Sequence, residues 1–162
     1  MLLQSKELSD ANSKLEATID ELETKLHEPE TSPVPTMVNV KDATVTEATL
    51  EIDLPKQGLT DEDLLPLSGF GQIEEFILGE NQLGNPSIKM LCNSFPQTKK
   101  LILDRNCFEA SSLQDIGSMK HLKYLDIRDN KLGDDCLQYV SSCKSLTDLS
   151  LSKNSLTDKS TQ

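Results

Sequence analysis

Two histidines, four cysteines and two arginines are the residues of this 162-residue chain whose side chains most readily do chemistry, and their spacing offers little of it. His27 and His121 have no serine or cysteine at the spacing of a nucleophile and its base. Cys92, Cys107, Cys136 and Cys143 lack the Cys-x-x-Cys spacing of a redox or zinc motif, and they read as free thiols in a reducing cytoplasm. Cys107 and Cys143 fall at or beside apolar positions and are expected to pack as small apolar groups, whereas Cys92 and Cys136 are left open. The stretch DIRDNKLGDD resembles a calcium loop in its acids, but Arg128 stands where a ligand should. Arg105 and Arg128 could stabilise charge on a phosphoryl group in flight, as an arginine finger does. Acidic neighbours, Asp104 and Asp129, make salt bridges the simpler expectation. No catalytic set, no metal site and no cofactor are expected.

A different polar residue does recur. Asn81, Asn106, Asn130 and Asn154 each stand three residues beyond the second of two alternating apolar positions, as in LDIRDNKL and LSLSKNSL. Numbering Leu122 as position 1 puts Leu125, Ile127, Asn130, Leu132, Leu137, Val140 and Cys143 at positions 4, 6, 9, 11, 16, 19 and 22. The same ruler fits units that begin at Thr49, Ile73, Thr98 and Leu146, so the period is 24 residues and once 25. Positions 4 and 6 share one side of a strand, and positions 16 and 19 share one side of a helical turn. Stacked units would place strands about 4.8 Å apart around one aliphatic core.

The pattern LxxLxLxxNxL, present here as LKYLDIRDNKL and LTDLSLSKNSL, resembles the leucine-rich repeat family over about residues 49–162. The resemblance implies an α/β fold: a leucine-rich repeat solenoid with a parallel concave sheet, short helices outside and the asparagines forming a structural ladder. A sharp inward turn after each strand would leave backbone groups without partners, at about 1–3 kcal/mol apiece, and a buried carboxamide both donates and accepts. The family includes actin-capping, axonemal and phosphatase-regulating proteins and activators of Ran-type GTPases.

In such a stack the residues between the leucines face out of the concave surface. They read Glu51, Asp53, Pro55, then Glu75, Ile77, Gly79, then Lys100, Ile102, Asp104, then Tyr124, Asp126, Arg128, then Asp148, Ser150, Ser152. Ile77 and Ile102 are apolar where solvent is expected, with Tyr124 diagonal to them. Arg105 and Arg128 lie at the rim, the composition of a binding hot spot. The expected partner-binding set is therefore Ile77, Ile102, Tyr124, Arg128, Asp104, Asp126 and Arg105.

Three segments are expected: residues 1–27, a coiled-coil helix; residues 28–36, a proline-rich linker; and residues 37–162, the repeats. Residues 1–27 carry a heptad seam of Leu8, Asn12, Leu15, Ile19, Leu22 and Leu26, which suits a homodimer in fixed register. EPETSPVPT has three prolines in nine residues and forbids helix. MVNVKDATVTEATLEIDL alternates apolar and polar residues and reads as a strand or hairpin capping the stack. Thr60 is placed to cap a helix whose first turn holds Asp61, Glu62 and Asp63. Leu156 is followed by too few residues to build an outer helix, which makes the chain a piece of a longer repeat protein or leaves an end for a partner.

Charge narrows the partner class. Residues 1–72 carry 15 acids and 5 lysines, and the whole chain has net charge −11, a poor match for nucleic acid. No apolar run approaches a bilayer span, so no membrane partner is expected. The expected function is a non-enzymatic protein–protein interaction scaffold, cytoplasmic and in a cytoskeletal, ciliary or signalling setting. A GTPase-activating protein of the Ran-type repeat class, or a pathogen effector that binds host proteins, is the alternative.

Overall fold

The computed structural model describes residues 37–158, which lie in the second of the chain's two compact units, residues 35–162. The seam Leu8, Asn12, Leu15, Ile19, Leu22 and Leu26 and the linker 28–36 lie outside the described residues.

A hairpin opens the described region. Strands β1 (Met37–Val40) and β2 (Ala43–Thr46) pair antiparallel across a turn at Lys41 and Asp42, and Val40 and Val45 point into the core. The alternation of apolar residues anticipated this hairpin, whose two buried valines join the core of the repeats. A five-stranded parallel sheet follows in the order β3 (Glu51–Asp53), β4 (Glu75–Ile77), β5 (Lys100–Ile102), β6 (Tyr124–Asp126) and β7 (Asp148–Ser150). Parallel neighbours need a crossover, and here each crossover is the rest of one repeat.

The register matches the ruler read from sequence. Ile52, Phe76, Leu101, Leu125 and Leu149 are successive partners, one per strand. Phe76, Leu101 and Leu125 are wholly buried, and Leu78, Leu103 and Ile127 form a second inward row two residues on. Phe95, from the far side of its repeat, meets Phe76 edge to face with ring centroids 4.8 Å apart.

Outer segments are helical turns, not long helices. Asp61–Leu64 is a short α-helix continued by a 3₁₀ segment, Leu65–Gly69, in which Pro66 sits in the first turn. Asn85–Ser94, the longest helix described, belongs to the repeat of 25 residues, and its inward stripe is Ile88, Leu91 and Cys92. The next repeat has only 3₁₀ turns, Ala110–Leu113 and Ile116–Ser118, and the one after it a single helix, Cys136–Val140. Thr60 and Asp63 are tied across the first turn, where Asp63 accepts from the Thr60 backbone N–H at 2.8 Å and from its hydroxyl at 2.9 Å.

The asparagines hold the turns. Asn106 Nδ2 donates to Leu78 of the preceding repeat at 3.0 Å and to Leu103 of its own at 3.1 Å, while Oδ1 accepts from the Leu83 N–H at 3.0 Å. Asn81 bonds in the same way to Leu54, Leu78 and the amides of Gln57 and Leu59. Asn130 reaches Leu103, Ile127 and Phe108, and Asn154 reaches Ile127, Leu151 and the amides of Asn130 and Leu132. Among the described residues no buried side-chain nitrogen or oxygen lacks a partner.

One cysteine expectation is corrected. Cys107 is exposed, because Asn106 and Phe108 on either side of it both point inward and extended backbone alternates. Cys92, Cys136 and Cys143 are buried free thiols. Burial pushes the Cys92 thiol up to about 12, with the charge of Asp115 adding to the effect.

Candidate functional site

The outward face of the sheet collects the residues singled out from sequence, and strand register fixes their neighbours. One row runs Asp53, Ile77, Ile102, Asp126, Ser150. Another, one pleat earlier, runs Glu51, Glu75, Lys100, Tyr124, Asp148. Ile77 and Ile102 are therefore direct cross-strand neighbours, and Tyr124 is offset from Ile102 by one strand and one row. All three are half-buried. Two β-branched side chains side by side form the apolar part of an otherwise charged surface.

Charge on this face is largely paired. Lys100 Nζ lies 3.2 Å from Glu75 Oε2, and Lys99 Nζ 2.6 Å from Glu74 Oε2. Arg128 folds back on Asp126, its Nε 2.9 and 3.0 Å from the two carboxylate oxygens and Nη2 2.6 Å from Oδ2. Hydrogen bonding to Asp126 and its charge hold the guanidinium even more firmly protonated than usual. Asp126 was expected on the exposed row, and the structure corrects this: it is 1 % exposed. Residues two apart on a strand share a side, so Arg128 is placed to lie over it. Asp126 thus serves the face by fixing Arg128 and offers no free carboxylate of its own.

Asp104 has a different support. A Cβ at Gly79, its neighbour on the preceding strand's exit, would collide with the Asp104 carboxylate, so glycine there makes room for it. Asp104 is 3.8 Å from Arg105, a loose pair.

Just past the strands lies a row that pattern reading overlooked. Lys56, Glu80, Arg105, Asp129 and Lys153 occupy the same position in five repeats, all with left-handed backbone, φ between 52 and 59. Their signs alternate. Lys56 to Glu80 is 3.2 Å, Arg105 to Glu80 2.8 Å and Arg105 to Asp129 3.6 Å. Burial alone would raise the Glu80 carboxyl, but bonding to Lys56 and the charges of Lys56 and Arg105 outweigh it and bring the group below its usual range. The left-handed turn aims the first four N–H groups of this row at the next repeat: Lys56 bonds Gly79, Glu80 bonds Asp104, Arg105 bonds Arg128 and Asp129 bonds Ser152. The type of residue varies from repeat to repeat, so only the shared φ and the alternation of charge reveal it.

A small recess of about 40 Å³ among Asp104, Arg105, Arg128, Asp129, Ser152 and Lys153 lies at the edge of this row. A larger opening, about 520 Å³, is lined by Thr60, Asp61, Glu62, Leu65, Gln82 and Pro86 on the outer side. Asp61 there is occupied, accepting from the Gly84 N–H at 2.8 Å and from Ser87.

The family model of the leucine-rich repeat matches residues 118–141 and 142–160. These units are leucine-rich repeats. With the sheet, the register and the asparagine ladder in place, the fold is an α/β leucine-rich repeat solenoid across residues 49–158. Among solved structures, the BIR3–SERK2 complex of Arabidopsis thaliana aligns at 18 % identity and TM-score 0.49, over 76 % of this chain and 64 % of that one. The ectodomain of the receptor kinase SOBIR1 of Arabidopsis thaliana aligns at 19 % and 0.44, over 74 % and 77 %. The plant peptide hormone receptor RGFR1, in complex with RGF2, aligns at 19 % and 0.46 over 65 % of this chain, which spans 17 % of that receptor. No curated protein matches the chain.

Proposed function

We propose that this leucine-rich repeat unit is a non-enzymatic scaffold that docks a protein partner on the outward face of its sheet. The observation that carries the reading is the adjacent pair Ile77 and Ile102, half-buried in a row whose other members are acids and serine. A fixed sheet presents such residues with little conformational entropy left to lose, which favours binding. Tyr124 and Arg128 border the pair, and both residue types are enriched where interface energy concentrates. Asp126 contributes by holding Arg128, and Asp104 and Arg105 mark the edge.

Arg105 and Arg128, the residues a GTPase-activating reading would need, are both drawn into ion pairs with acids of the same face. We read the seam at residues 1–27 as a means of bringing two copies together, which would raise avidity for a repeated target in a cytoplasmic, cytoskeletal setting. Light scattering on residues 1–162 and 37–162 tests that part by itself.

The docking reading is tested by affinity capture with the wild type against a variant carrying Ile77→Asp, Ile102→Asp and Tyr124→Ala. Proteins retained by the first and lost from the second are the expected result. Identical recovery from both would remove the sheet face from the account.

A further inference from the structure

We propose that the partner element received by this face is a basic linear segment: an aliphatic or aromatic anchor flanked by lysine or arginine. The proposal rests on the docking reading above and adds the chemistry of what docks. The cations nearest the isoleucines are each held by an acid of the same face. Lys100 is held by Glu75, and Arg105 by Glu80 with Asp129 behind it, while Arg128 is held by Asp126. Among the described residues Lys123 and Lys153 form no ion pair, but they belong to the repeats of β6 and β7, beyond the isoleucine strands. What is left over beside the isoleucines is negative. Among the described residues Glu51 and Asp53 have no ion-pair partner, and both are exposed. Asp104 has only the loose contact with Arg105.

The leftover acids stand around the isoleucines. Asp53 is the register partner of Ile77, so their backbones are one strand spacing apart, about 4.8 Å. Glu51 lies one row over on the same strand, and Asp104 follows Ile102 by two residues on the same side of the chain. A lysine or arginine of the partner could lay its hydrocarbon stem along the isoleucines and place its charged end against Asp53 or Glu51. An acidic segment would meet the same carboxylates unscreened. The apolar strip is only two side chains wide, a size that suits one anchoring residue of a linear stretch better than a broad hydrophobic surface.

The test selects a displayed library of random short peptides on the full chain, then repeats the selection on two variants. Glu51→Gln/Asp53→Asn removes the charge, and Ile77→Ser/Ile102→Ser removes the apolar strip while keeping residues that a strand tolerates. Circular dichroism and melting of each variant confirm that it is folded. Enrichment of Lys or Arg beside a large apolar residue is expected. Binding of the enriched peptides should fall about tenfold in the charge variant and by a similar factor at high salt, and should be lost in the serine variant. Peptides that need the isoleucines but carry neutral or acidic flanks would overturn the proposal and leave the docking reading standing. Peptides indifferent to the isoleucines would overturn both. No enrichment at all would refute a linear basic segment as the occupant.

Discussion

Arg128 closes over Asp126 so completely that the carboxylate is 1 % exposed while the guanidinium remains half in solvent. Removing Arg128 also removes the roof, so water reaches the Asp126 carboxylate, and removing Asp126 leaves a solvated cation. Arg128→Ala and Asp126→Ser are therefore expected to lose similar, small amounts of stability, and the double variant no more than either. Urea denaturation of the single and double variants measures all three. Losses that simply add in the double variant would contradict the pairing.

The ladder asparagines differ in how deeply they sit. Asn106 is buried, while Asn154 is only partly so. Asn106→Ala abandons the carbonyls of Leu78 and Leu103 and the N–H of Leu83 and is expected to cost about 3 kcal/mol. Asn154→Ala leaves groups that water can reach and should cost roughly half as much. Melting temperatures of the two variants, compared under one buffer, decide the ranking.

Acid should act on the junction between hairpin and first repeat. Bonding from the Thr60 backbone and from Lys41, whose Nζ is 3.0 Å away, lowers the Asp63 carboxyl from 3.8 to about 2. A carboxyl lowered on folding stabilises the fold above its unfolded value and loses that contribution as pH falls through the folded one. Stability should thus decline between pH 4 and pH 2 by more in the wild type than in Asp63→Asn. Chemical denaturation across that window measures the difference, and parallel curves would argue against it.

Thiol labelling separates the four cysteines. Cys107 is exposed and should react with a small alkylating reagent in the native protein. Cys92 is buried with its thiol pushed to about 12, and burial also raises those of Cys136 and Cys143, so these three should be protected until the chain unfolds. Mass spectrometry of native and urea-treated samples counts the adducts. More than one rapid adduct in native protein would contradict this burial.

Repetition made the core legible. Leu101, Leu125 and Leu149 could be placed on successive rungs because the same residue type returns at the same offset, and the same holds for the asparagines. What one repeat does to another was harder to read. The charged row Lys56, Glu80, Arg105, Asp129, Lys153 has no constant residue type, and its meaning lies in alternation between neighbours. Asp126 misled for a related reason. Alternation puts it outward, and outward usually means wet, but Arg128 two residues on supplies a roof that period-two counting does not see. Cys107 shows the same rule working against an argument from composition: a small apolar residue sits outside because its position, not its type, decides.

The two flanks of the sheet are finished differently. Val40 and Val45 of the hairpin share a core with Ile52 of β3, which is 3 % exposed; at β7 Leu149 is 42 % exposed, although it occupies the rung position that is fully buried at Leu125. In a one-dimensional stack each rung leans on its neighbours. Residues 37–158 should therefore unzip in one direction, with amide protons of 148–150 exchanging first and those of 100–102 last. A molecule placed against Leu149 would slow that fraying, and the hairpin side would be indifferent to it.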